Sequence, residues 1–274
     1  FAGVINVVLN LIFVILLKMD VAGVALATVI SQCVSAFLVV RCLMKETDGF
    51  QLILKKLGID KQITVKILRI GIPAGFQGVV FSLSNVVIQS AINSFGATIV
   101  AGNSAAGNIE GFVYVAMNTF YQAAISFVSQ NVGAAKYERI NKIAWTALGL
   151  VTFVGISLGS LVCAFGEPLL SLYTGSPAVI EAGMGRILVV VRFYALCGMM
   201  DVMVGLIRGL GYSIMPMIVS LIGACALRLV YIQTIFKLPE FHTMEMLYYT
   251  YPVSWFLTFA THVICFLIVK RKYK

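Results

Sequence analysis

Apolar residues along this chain fall into eight runs separated by short polar breaks, over roughly 4–17, 21–40, 70–93, 98–128, 143–165, 187–207, 214–236 and 247–269. Most reach the ~20 residues that a helix rising 1.5 Å per residue needs to cross the hydrocarbon core of a bilayer. Backbone groups in lipid must be satisfied within the chain, which leaves helices or closed barrels. Period-2 alternation is absent, so helices are expected. The pattern predicts an all-α polytopic membrane helix bundle with about eight transmembrane helices.

Composition agrees. The chain is 60% hydrophobic and 11% charged, against about 25% charged in soluble domains. Six scattered cysteines without a CxxC pair support neither a metal site nor a disulfide framework. Phe1 opens the chain without an initiator Met or a basic flank, so the sequence reads as beginning inside a helix, a part of a longer protein rather than a signal peptide.

The net charge of +9 does not indicate nucleic acid, because of where the charge lies. Basic residues crowd 41–69, 131–142, 208–213 and 270–274, while the alternate connections hold little more than Lys18, Arg186 and Lys237. This positive-inside pattern places the basic connections in the cytoplasm. Residues 44–69 are basic and amphipathic, fitting a surface helix or a plain charged linker. Tyr248, Tyr249, Tyr251 and Trp255 are expected to form an interfacial aromatic belt. A weak repeat in hydropathy between 4–31 and the region from 218 onward points to two similarly oriented halves.

Ionisable groups inside a membrane are costly, and here they are few: Glu110, Arg192, Asp201, Arg228 and His262. Glu110 lies about 12 residues, or ~18 Å, from the outer end of its run. Its helical stripe reads Asn103, Gly107, Glu110, Tyr114, Met117, Tyr121. The preceding run carries Ser82, Asn85 and Gln89, with Asn93 close by, and a very short loop joins the two. They are expected to be antiparallel neighbours lining a polar cavity. With no basic neighbour on its own helix, Glu110 is expected to hold and release a proton or to bind Na⁺ with amide oxygens. Asp201 lies on the stripe Tyr194, Gly198, Asp201, Gly205, Arg208. Buried ion pairs between these acids and the arginines are the structural alternative, weighed more for Asp201 than for Glu110. His262, alone in an apolar run, reads as a packing residue first. No GxxxxGK[ST], HExxH or GxSxG occurs, and "GLIRGLG" (205–211) lacks the third glycine of a nucleotide loop.

"VAGVALATVISQ" (21–32), "GIPAGFQ" (71–77), "FVSQNVGAAKYER" (127–139) and "IRGLGYSIMP" (207–216) resemble the multidrug and toxic compound extrusion (MATE) transporters over nearly the whole chain. The resemblance implies a two-lobe, twelve-helix transporter that exchanges Na⁺ or H⁺ for organic cations, with no cofactor. On that template residues 1–43 are the last two helices of the N-terminal lobe. Residues 44–69 are the cytoplasmic linker between lobes, and residues 70–274 are the six-helix C-terminal lobe with its tail. The rest of the N-terminal lobe would belong to the same polypeptide. The resemblance gives Glu110 a part in cation coupling. Where some members carry an acid on the first helix of this lobe, this chain has Phe81 and Ser82. Asp201 stands about one turn from the acid of many members.

The expected function is a secondary antiporter exporting organic cations or drugs, in a plasma membrane that on family grounds is the bacterial inner membrane. Glu110, Asn85, Gln89, Asn103, Tyr114 and Asp201 are the expected ion-coupling or substrate-binding residues, with Tyr114, Tyr121 and Phe112 suited to cation–π contact. A lipid-linked saccharide flippase of related architecture is the alternative, and it predicts a strongly cationic cavity. A non-transporting scaffold has no need of the polar stripes. An enzyme is not expected, because no nucleophile–base set is present.

Overall fold

The computed structural model describes residues 1–47 and 51–273, and all regular structure among them is helical. Residues 48–50 of the expected linker and Lys274 of the tail lie outside the described residues. The chain divides into two units, Phe1–Lys61 and Gln62–Lys274.

In the first unit α1 (Ala2–Asn10) runs on as a π-helical turn, Leu11–Leu16, and turns back into α2 (Asp20–Lys45). Gly23 is the contact point: a Cβ there would sit 3.0 Å from Phe13 and Met19. Asn6 Nδ2 donates to Ser31 Oγ at 3.2 Å across the pair. A single 3₁₀ turn, Leu54–Lys56, lies in the basic segment.

The second unit comprises α3 (Lys61–Asn93), α4 (Ala97–Gly133), α5 (Arg139–Ala164), α6 (Gly166–Ser171), α7 (Pro177–Val189), α8 (Tyr194–Gly209), α9 (Ile214–Ser220), α10 (Leu227–Gln233) and α11 (Met244–Lys270). A 3₁₀ turn, Val191–Phe193, joins α7 to α8, and a π turn, Leu221–Ala226, joins α9 to α10. Gly96, at φ 92°, supplies the left-handed turn into α4. Thr243 caps α11, its hydroxyl accepting from the Met246 N–H at 3.3 Å.

α8 is the central helix, buried along most of its length and packed on α4, α5 and α11. Small residues make this possible: an added Cβ on Gly205 would lie 2.8 Å from the Tyr121 carbonyl, and one on Gly155 would lie 2.8 Å from Ala195 Cα. Helices in lipid gain little from burying apolar surface, so close contact and internal hydrogen bonds hold them together. α3 is the exception to this tight packing, with only 6% of its most apolar window buried. Polar bonds fasten it at three heights. Ser213 Oγ donates to the Ile70 carbonyl at 2.9 Å, Arg208 Nη2 to Gln77 Oε1 at 2.8 Å, and Asn103 Nδ2 to Gln89 Oε1 at 3.3 Å.

Six helical stretches among the described residues are long and apolar enough to span a membrane. α4 is longer, at 37 residues, but Asn103, Asn108, Glu110 and Asn118 make it more polar. Three expectations change. The run expected at 187–207 starts ten residues earlier, at Pro177, with proline in the first helical turn after Ser176. Arg186 therefore lies in α7, not in an outer connection. α3 likewise starts at Lys61, so the basic residues from Lys61 to Arg69 belong to its first turns. In the expected aromatic belt, Tyr248, Tyr251 and Trp255 are buried, and Tyr249 is exposed. The three buried rings turn inward because arginines lie beside them.

Candidate functional site: a charged cavity in the second unit

Glu110, from the middle of α4, is the first fixed point. Its Oε2 accepts two hydrogen bonds from Arg186 of α7, from Nη2 at 2.7 Å and Nε at 2.9 Å, and its Oε1 accepts one from Tyr194 Oη at 3.2 Å. Arg186 also donates from Nη1 to Asn103 Oδ1 at 2.8 Å. Asn103 passes the chain on to Gln89, and Gln89 Nε2 donates to Asn93 Oδ1 at 3.0 Å. The stripe of α4 and the polar face of α3 thus meet in one network, with α7 supplying its charge.

The expectation of an acid without a basic neighbour is corrected here. No cation shares α4 with Glu110, but Arg186 reaches it from a helix 76 residues further on. The pair is nearly buried, at 10% and 12% side-chain exposure. Charge-assisted, two-pronged bonds of this kind are the strong ones. Leaving one partner of such a pair alone costs about 3–5 kcal/mol.

Asp201, at the middle of α8, is different. Among the described residues it makes neither a hydrogen bond nor an ion pair. Its carboxylate lines a cavity of about 730 Å³ enclosed by α3, α4, α7, α8, α10 and α11. Arg208, two turns along α8, acts on it electrostatically. Arg208 is itself engaged, donating to Tyr121 Oη at 2.6 Å and to Gln77.

All six expected site residues line this cavity. Gln89, Asn103 and Glu110 enter the network, while Asn85 and Tyr114 contribute surface. Of the two other arginines singled out, Arg228 lines the cavity and is buried, whereas Arg192 is exposed in the 3₁₀ turn and lies off it. The ring of Tyr251 serves two cations, with Arg228 Cζ 4.3 Å and Arg186 Cζ 5.5 Å from its centroid. His262 is fully buried away from the cavity, its Nε2 3.0 Å from Ser220 Oγ. Arg186 and Arg208 are cavity residues that the sequence reading counted among the connections rather than the site. Ser176-Pro177 is the signal that would have extended α7 to include Arg186.

A helical bundle with several membrane-crossing segments and a charged cavity walled by polar faces defines a multi-pass membrane protein with an internal polar cavity. The chain belongs to the MatE family, whose profile matches residues 73–232. It is 24% identical over 207 residues to the probable multidrug resistance protein YoeA of Bacillus subtilis, covering 74% of this chain and 45% of that protein. It is 27% identical over 236 residues to the probable multidrug resistance protein YpnP of the same organism, covering 83% and 51%. The fold matches an outward-facing multidrug resistance MATE family transporter of the MOP superfamily with a TM-score of 0.86, at 17% identity over 98% of this chain and 61% of that one. The chain spans about half the length of the curated relatives it matches.

Proposed function

We propose that this chain is part of a secondary active transporter that exports organic cations or drugs in exchange for Na⁺ or H⁺, acting in a bacterial inner membrane. On this reading residues 1–43 end one lobe, 44–69 link the lobes and 70–274 form the second lobe. Relatives named as multidrug resistance proteins support the substrate class.

The observation that carries the reading is the contrast between the two cavity acids. Glu110 is neutralised by Arg186 and accepts a hydrogen bond from Tyr194, while Asp201 faces the cavity unbonded among the described residues. An unbonded carboxylate in a membrane-enclosed site binds a proton or a metal cation readily, because either one removes the cost of a bare charge. Asp201 is therefore the exchanging acid. Glu110, with Asn103 and Gln89, holds the cavity wall in shape, and Asn85 and Tyr114 offer an oxygen and a ring to a bound cation. The lipid-linked saccharide flippase finds no support among these relatives.

The test uses the complete polypeptide that contains this chain, in efflux-deficient cells. Ethidium efflux is followed for wild type, Asp201→Asn and Glu110→Gln while the Na⁺ and proton gradients are collapsed separately. Asp201→Asn should abolish gradient-driven efflux at normal expression, and the gradient that matters names the ion. Wild-type efflux by Asp201→Asn would remove Asp201 from the coupling step.

A further inference from the structure

Arg228 is a cavity cation with no carboxylate partner among the described residues. It lies on α10, 4% exposed. Its Nε donates to Ser254 Oγ at 2.7 Å, and Ser254 in turn donates to the Tyr251 carbonyl at 2.9 Å, so the guanidinium plane is held in place. Its Cζ lies 4.3 Å from the Tyr251 ring centroid and 5.7 Å from that of Trp255. Nη2 is buried and has no hydrogen-bond partner among the described residues.

The cavity wall holds three guanidiniums, Arg186, Arg208 and Arg228, against two carboxylates, Glu110 and Asp201, one positive charge in excess. Arg186 is matched by Glu110, and Arg208 is bonded to Tyr121 and Gln77. Arg208 and Arg228 each keep one buried nitrogen unbonded among the described residues, Nε and Nη2, and of the three Arg228 has the fewest acceptors, Ser254 Oγ alone. Intramembrane arginines are normally paired. Aromatic faces attract the cation but offer no lone pair to its N–H groups.

We propose that Arg228, braced by Ser254 and faced by Tyr251 and Trp255, is an anion subsite that takes the carboxylate or phosphate group of an organic ligand. The guanidinium N–H groups not used by Ser254 suit either group as charge-assisted donors. The inference rests on the same cavity as the transport reading and adds to its cationic substrates ligands that carry a negative group. Arg228 and Ser254 also line a second, apolar groove of about 520 Å³ between α10 and α11, whose walls include Val230, Tyr249, Val253 and Leu257. The anion can thus come from a small organic molecule in the central cavity or from the headgroup of an anionic lipid at the groove.

The complete polypeptide, in phosphatidylcholine nanodiscs, is titrated against fluorescein by anisotropy as wild type, Arg228→Gln, Arg228→Lys and Ser254→Ala. Wild type should bind. Arg228→Gln should weaken binding about tenfold or more, as loss of a charge-assisted bond requires. Arg228→Lys should recover part of it, and Ser254→Ala should fall between. If wild type does not bind fluorescein, its unfolding temperature is compared with and without added phosphatidylglycerol. A stabilisation lost in the Arg228 variants assigns the anion to a lipid headgroup. Fluorescein binding equal in wild type and Arg228→Gln overturns the subsite, as does the absence of both fluorescein binding and Arg228-dependent lipid stabilisation. If Arg228→Gln does not fold, Arg228→Lys and Ser254→Ala carry the comparison. Ethidium efflux separates the two readings. Fluorescein binding through Arg228 without any efflux sinks the transport reading alone, and efflux with Arg228-independent fluorescein binding sinks the subsite alone.

Discussion

Arg186 Nη2 donates to Glu110 Oε2 at 2.7 Å and so joins α7 to α4 across the wall of the cavity. Neither charge is tolerable alone at this depth, so each is the condition for the other. The pair should behave as one unit under mutation. Arg186→Met leaves a bare carboxylate and should destabilise the protein by about 3–5 kcal/mol, whereas Glu110→Gln with Arg186→Met should recover most of that loss. Thermal unfolding in detergent measures both, and equal losses in the single and double variants would show that the pair is not coupled.

Gly102 marks a second contact between the same two helices. An added Cβ would lie 2.6 Å from the Val179 carbonyl and 2.7 Å from the Gly183 nitrogen, both backbone atoms that cannot step aside. Gly102→Ala should therefore cost about 1–3 kcal/mol. Gly107, one turn and a half further along α4, has open space where its Cβ would go. Gly107→Ala should be neutral or slightly stabilising, by up to ~1 kcal/mol. Unfolding temperatures that move alike in the two variants would contradict this account.

α3 is held by polar bonds more than by packing, so those bonds should set its mobility. Gln77→Ala removes the acceptor of Arg208 Nη2 and should speed amide hydrogen exchange in α3 about tenfold or more relative to α8. Mass-spectrometric exchange on the complete polypeptide checks this. Unchanged rates in α3 would mean that packing holds it after all.

His262 bonds Ser220 from a fully buried position, off the cavity. His262→Ala should lower the unfolding temperature through the lost bond and the void, at a cost of about 2–4 kcal/mol, while gradient-driven efflux persists in the folded fraction. Loss of efflux at normal stability would make His262 part of the transport path.

Some of this protein was written in its residue order. Long apolar runs can cross a membrane only as helices, so the all-α, multi-pass architecture followed from hydropathy and length. The polar stripes were equally legible, because amides and acids at helical spacing cannot face lipid. Asn85, Gln89, Asn103, Glu110, Tyr114 and Asp201 all line the one cavity. Partnership was not legible. Glu110 and Asp201 look alike in sequence, each a single acid on a small-residue stripe. What separates them is an arginine 76 positions away that folding brings to one and not to the other. The same holds for the aromatic residues of α11. Their composition fits a membrane interface, yet three of them turn inward onto Arg186 and Arg228. Hydropathy is a local property and fixes which segments enter the bilayer. Charge pairing is a relation between helices, and only their packing decides which acid is neutralised, which is left open to the cavity and which cation remains to receive a ligand.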